Sequence, residues 1–197
     1  LATTPAALTP ADFQRQIARV TAQIAGRPLD AALDAWLNRE HGAGSGTYAA
    51  LKAACETGVA EGWLANREGG GIRYGRIFKP SDDLHGFSVD VVDMAPPRWA
   101  APSKALPPRG ADVGTPAAGG DQDVIAGPHH THPNGEIDLI MPLGGSGATF
   151  DGRPAGWCVY GPGSAHRPTV SGGRALVLYL LPQGAIAFTP SAAETTR

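Results

Sequence analysis

The sequence predicts a mainly β protein with an α-helical N-terminal part, and three observations lead there. Apolar residues recur at helical spacing only as far as about residue 64, and strand-like runs take over after Gly69-Gly70-Gly71. The 27 glycines and 18 prolines punctuate those later runs, which is the texture of short strands joined by turns and not of a disordered chain. The expected division is a helical region over 1–68 and a β-barrel over 69–197.

The elements follow in order. Thr9-Pro10-Ala11-Asp12 reads as an N-cap with proline at the first helical position, and Phe13, Ile17, Val20 and Ile24 form one stripe. Pro28 opens a second helix with Leu29, Leu33, Trp36 and Leu37 on its apolar side. The stretch 41–46 closes it. Ser45 caps a third, with Tyr48, Leu51, Cys55 and Val59 on one side. These helices carry no chemical signature, so they are expected to cover one end of the barrel or to form a subunit contact.

Strands are expected at 72–78, 87–94, 124–125, 136–142, 147–150, 156–160, 174–181 and 185–188. Residues 95–120 are rich in Pro, Ala and Gly without a convincing period. A loop of that length is expected to be a lid or a mobile segment. Short strands at close spacing predict a sandwich or barrel.

Composition excludes several classes. Hydrophobic residues make up 42% of 197, enough for a real core, and the formal charge of −2 comes without a basic stripe, which argues against nucleic acid. No apolar stretch has the length of a membrane span. No basic segment followed by an apolar run opens the chain, so a cytoplasmic protein is expected. Cys55 and Cys158 are far apart and lack any metal-finger spacing, so no disulfide framework is expected.

Four of the six histidines fall between 129 and 166, in the text Gly127-Pro128-His129-His130-Thr131-His132-Pro133-Asn134-Gly135-Glu136 and again at His166. On an extended strand His130 and His132 point to one face. Pro133-Asn134-Gly135 is turn chemistry that doubles the chain back and sets Glu136 beside them. Imidazole and carboxylate suit one divalent transition ion such as Zn, Fe, Mn, Ni or Co, and are a poor set for calcium. His166, at the end of the turn Gly161-Pro162-Gly163-Ser164-Ala165, completes the set. A lone histidine would be an ordinary core or surface group; three with a glutamate at alternating spacing are a metal site. His129 faces the other way and is as readily a partly exposed residue as a catalytic one. His41 and His85 sit in polar loops and are assigned nothing.

This HxHxxxE cluster, followed about thirty residues later by a Gly/Pro turn and a third histidine, resembles the paired metal motifs of the cupin superfamily. Gly144 lies near its usual place after the glutamate, whereas Gly161 stands where those proteins usually have proline. The resemblance implies a cupin-type double-stranded β-helix barrel. The text GPHHTHPNGEIDLIMPL with FDGRPAGWCVYGPGSAHRPTV is further similar to the 4-hydroxylaminobenzoate lyases of nitroarene-degrading bacteria, and the helical N-terminal part fits the same group. That likeness implies a metal-dependent lyase converting 4-hydroxylaminobenzoate to 3,4-dihydroxybenzoate with release of ammonia. A homodimer is the expected assembly, as cupin-like proteins are often dimers.

Such a reaction needs proton transfers, for which Glu136, His129 and Asp138 are the candidates. A benzoate also needs a cationic clamp: Arg76 is preferred, with Arg73 and Lys79 next. Trp99, Tyr160 and Phe78 are candidates to stack the ring. Two other readings stay open: a cupin dioxygenase or isomerase acting on a small aromatic or organic acid, and a non-catalytic small-ligand binding cupin. An oxygenase needs O₂, and a closed coordination sphere without an open position would favour the binding module.

Overall fold

The computed structural model describes residues 8–100, 121–145 and 147–189, so most of the loop expected at 95–120 lies outside the described residues. Three helices come first: α1 (Pro10–Ile24), α2 (Ala31–His41) and α3 (Gly46–Glu61). The Thr9 hydroxyl accepts from the Asp12 amide at 3.2 Å while the Asp12 carboxylate accepts from the Thr9 amide at 2.9 Å, which satisfies two otherwise orphaned donors. Phe13, Ile17, Val20 and Ile24 are buried as their spacing predicts. α2 starts later than Pro28, because the Asp30 carboxylate accepts from the Leu33 amide at 2.9 Å and so becomes the cap. Ser45 caps α3, and Gly62 ends it in the left-handed region at φ 82°.

The strands are β1 (Arg67–Gly69), β2 (Ile72–Phe78), β3 (Phe87–Met94), β4 (Val124–Ala126), β5 (His130–His132), β6 (Glu136–Pro142), β7 (Thr149–Phe150), β8 (Gly156–Tyr160), β9 (Ser164–His166), β10 (Thr169–Ser171), β11 (Ala175–Pro182) and β12 (Ala187–Phe188). Two expected strands begin late for local reasons. Gly147 has φ 69°, outside the strand region, and the Ala185 amide turns back to the Pro182 carbonyl at 3.2 Å.

All pairings are antiparallel. A six-stranded sheet runs β1-β2-β3-β11-β6-β8, and two three-stranded sheets run β4-β10-β7 and β12-β5-β9. Side-chain alternation gives the large sheet two different faces. Ile137, Leu139, Met141, Leu176, Leu178 and Leu180 share one core with Phe13, Ile17, Leu37 and Leu51 of the helices. On the opposite face Ile140, Cys158, Val177 and Tyr179 meet Phe150 and Val170 from the smaller sheets. This is the mainly β, cupin-type arrangement expected, built as sheets facing one another across an inner core.

The helices therefore cover a face of the large sheet and not an end of a barrel. α2 also closes its edge. Asn38 accepts from the Trp157 amide at 2.8 Å and donates to the Trp157 carbonyl at 2.9 Å, and Asp34 accepts from the Val159 amide at 3.0 Å. Two side chains thus do for β8 what a further strand would do, which removes a template for unwanted pairing. Both cysteines are free and buried.

Candidate metal centre

The metal motif folds as its spacing requires. Gly135 turns the chain at φ 85°, and a Cβ there would lie 2.6 Å from the Tyr160 carbonyl oxygen, so only glycine fits. The His132 carbonyl accepts from the Gly135 amide at 3.1 Å and from the Gly163 amide at 2.8 Å. One oxygen thereby ties the turn of the first motif to the turn of the second. Register across β5 and β9 places His166 opposite His130 and Ser164 opposite His132.

His130, His132, Glu136 and His166 converge, their ligand atoms all within 4.8 Å of one another. His130 Nε2 lies 3.0 Å from His166 Nε2, His132 Nε2 lies 3.3 Å from Glu136 Oε1, and His166 Nε2 lies 3.6 Å from the same oxygen. Ligands about 2.1 Å from a common ion and at right angles would be about 3 Å apart, so the spacing suits one cation.

Each imidazole is oriented from behind through Nδ1. His130 Nδ1–H donates to the Pro128 carbonyl at 3.0 Å and His166 Nδ1–H donates to Asp151 Oδ2 at 2.6 Å, while His132 Nδ1 meets the Ser164 hydroxyl at 3.0 Å. A neutral ring that donates through Nδ1 presents a lone pair at Nε2. His130 and His166 thus turn their Nε2 atoms toward each other, 3.0 Å apart.

Burial makes the absence of a protein partner costly. His132 Nε2 and both Glu136 oxygens are buried without a hydrogen-bond partner. Burial lowers the pKa of His130, and pushes that of His132 down to about 4 with help from the neighbouring rings. Both stay neutral and ready to ligate. Burial pushes the Glu136 carboxyl up to about 8, and it raises Asp138 well above the carboxylate range, with the Glu136 charge adding to the effect. Two buried carboxyls beside the neutral rings of His130 and His132 lack a counter-charge, which a divalent cation would supply. The residues fit the ion that their types imply.

Asp151 escaped the sequence reading. Burial alone would raise the Asp151 carboxyl, but hydrogen bonds from His166, the Tyr160 hydroxyl at 2.5 Å and the Thr169 amide at 2.8 Å hold it below the usual range. Asp151 sits at φ 50° before Gly152, and Asp-Gly there reads as an ordinary turn. No local pattern announces that its side chain reaches a histidine fifteen residues on.

A cleft of about 720 Å³ reaches the centre at His130 and is lined by Tyr74, Arg76, Asp90, Tyr179 and Phe188 among others. Arg76 is there, but its Nε donates to both Asp90 oxygens at 2.9 and 3.2 Å, and Nη2 donates to the Gly184 carbonyl at 3.2 Å. Arg73 lies elsewhere, with Arg174 around Asp93, lining a second cavity of about 670 Å³ beside α3. Lys79 is exposed and Trp99 lies beneath Arg98; neither is among the described residues lining the cleft. Phe78 packs against Phe13, ring centres 6.1 Å apart, in the helix-side core. Tyr160 is beside the metal site, its ring 4.6 Å from that of His166. Asp138 is fully buried on the same face of β6 as Glu136, whereas His129 points away, its Nδ1 meeting the Thr189 hydroxyl at 2.8 Å.

Fold and site together define a cupin-type protein with a buried three-histidine, one-glutamate cluster fitted to a single cation. A family model described as PnbB, 4-hydroxylaminobenzoate lyase, matches residues 15–188, and the chain belongs to that lyase family. It is 31% identical over 173 residues to a 4-hydroxylaminobenzoate lyase of Pseudomonas putida, covering 85% of this chain and 88% of that one. It is 32% identical over 179 residues to a lyase of the same name from Nocardioides sp. (strain LMS-CY), covering 86% and 90%. Two solved structures also match at low TM-scores. One is a protein of unknown function with a cupin-like fold from Ralstonia eutropha JMP134, with 14% identity, 64% and 68% coverage and a TM-score of 0.33. The other is the DMSP lyase DddQ from Ruegeria pomeroyi DSS-3, with 18% identity, 92% and 98% coverage and a TM-score of 0.38. At that distance the site stands on its own geometry.

Proposed function

We propose that the chain is a metal-dependent lyase that converts 4-hydroxylaminobenzoate and water to 3,4-dihydroxybenzoate and ammonia. The observation that carries the metal in this reading is the convergence of unpartnered His132 Nε2 and Glu136 oxygens on the point to which His130 and His166 turn their Nε2 atoms. The reaction is redox-neutral: one hydroxyl leaves nitrogen as water, two waters enter the ring, and ammonia departs. A divalent ion held by His130, His132, Glu136 and His166 would supply Lewis acidity and acidify bound water.

The chain's own residues supply the rest. Asp151 holds the His166 ring in the tautomer that leaves Nε2 free. Asp138, buried behind Glu136, is assigned to hold a proton during imine hydrolysis, with Glu136 as its neighbour in the relay. His129 faces away from the cluster and takes no part in this assignment. The apolar cleft beside His130 excludes water from the ring and receives the small aromatic carboxylate.

A homodimer in the cytoplasm completes the proposal. No helix among the described residues is long and apolar enough to cross a membrane. Incubating the protein with 4-hydroxylaminobenzoate under argon should release ammonia and 3,4-dihydroxybenzoate in equal amounts, a chelator should stop it, and added metal should restore it. A requirement for O₂, or turnover indifferent to chelation, would point to a different reaction.

A further inference from the structure

We infer that Arg67, and not Arg76, recognises the carboxylate of the arene, with Tyr74 and Phe188 bounding the space its ring occupies. The inference rests on the reading of the cleft beside His130 as the arene site.

The cleft is lined by two guanidinium groups, Arg67 and Arg76, and by one aspartate, Asp90. Arg76 and Asp90 cancel. The Arg76 Nε–H is shared between both Asp90 oxygens and one terminal nitrogen is spent on the Gly184 carbonyl, so this pair offers an incoming anion no net charge. Swinging Arg76 to a ligand would strand a carboxylate whose pKa burial already raises. Arg67 has no ion pair and no side-chain hydrogen bond to any described residue, so the uncancelled positive charge of the cleft is its own. A guanidinium with its whole fork free is the group that binds a carboxylate through two hydrogen bonds.

A second observation points to the same ligand. Among the described residues the exposed large hydrophobic side chains are Tyr74, 42% exposed, and Phe188, 60% exposed, and both line this cleft. Aromatic rings left in water beside a concave apolar wall are what an arene would cover. Phe188 stands at the metal end, its ring centre 5.6 Å from that of His130. Tyr74 is the register partner of Arg67 across β1 and β2, so the two side chains leave the hairpin on the same face. Gly69, Gly70, Gly75 and Gly127 keep the remaining wall low. A benzene ring with polar groups at opposite ends matches a cleft with a metal ligand contributed by one sheet and a free guanidinium by another.

Binding of non-reacting analogues tests this apart from turnover. Calorimetry on metal-loaded protein compares 4-aminobenzoate with its uncharged amide, 4-aminobenzamide, in wild type, Arg67→Met, Arg67→Lys and Arg76→Met. The wild type should prefer the carboxylate. Arg67→Met should weaken 4-aminobenzoate about tenfold while leaving the amide within about twofold, and Arg67→Lys should restore part of the loss. The inference is overturned if wild type fails to bind 4-aminobenzoate or shows no preference for it. It is equally overturned if Arg67→Met keeps the preference or weakens both analogues alike, or if only Arg76→Met removes the preference. Failure of ammonia release in the wild type would strike the lyase reading and leave this measurement readable.

Discussion

The two faces of β6 are built from alternate residues of one seven-residue strand and serve opposite ends. Ile137, Leu139 and Met141 point to the helices, are fully buried, and have only apolar neighbours to satisfy. Glu136 and Asp138 point inward, are just as buried, and have no hydrogen-bond partner for any of their four oxygens. The outer face lowers the free energy of folding, by about 2 kcal/mol for each large aliphatic side chain. The inner face raises it, a cost that a cation held there would offset. Stability and function are separated here by a single peptide step.

That separation can be broken from either side. The largest effect is expected inside. Glu136→Ala should lose the metal and depress activity about a thousandfold or more, while the metal-free protein keeps its melting temperature or gains a little, since a buried carboxyl has gone. Elemental analysis beside calorimetric melting checks both halves, and undiminished metal would remove Glu136 from the ligand set. Leu139→Ala is the mirror experiment: a loss of about 3 kcal/mol in denaturant unfolding with metal content per folded molecule unchanged. If metal affinity fell as steeply as stability, the two faces would not be independent.

Smaller effects should sharpen the comparison at its borders. Asp151→Asn removes the charge behind His166 and should weaken metal binding about ten- to a hundredfold in a competition titration, with the fold intact. Equal affinity would mean that the His166 ring is held by packing alone. Asn38→Ala strips part of the surrogate edge from β8, leaving the Trp157 amide unpaired and its carbonyl to Arg153 alone, and should cost about 1 to 2 kcal/mol of stability. Since β8 carries Tyr160 at its far end, metal affinity should barely move. A large shift in metal affinity would show that α2 acts on the site.

Some of this was legible in the chain. Thr9, Ser45 and the stripe Phe13, Ile17, Val20, Ile24 declare their helices, because caps and a 3.6-residue period are local. The strands 72–78, 87–94, 136–142 and 156–160 were likewise evident, since their apolar runs end at turn residues. β1, β9 and β10 were not, because three residues are too few for a period and their pairing partners lie elsewhere in the chain. For α2, a proline suggested a start that an aspartate two residues later provides.

That His130, His132 and Glu136 come together was legible in the sequence by itself, because strand alternation and a Pro-Asn-Gly turn are rules of neighbours. Three features came only from the tertiary structure: which charge Arg76 answers to, which carboxylate steadies His166, and what the N-terminal helices cover. Asp90, Asp151 and the outer face of the large sheet meet their partners across separations of 14, 15 and more than 100 residues. Whether a charge is free or already answered depends on everything within a few ångströms of it. That sum exists only once the chain has folded.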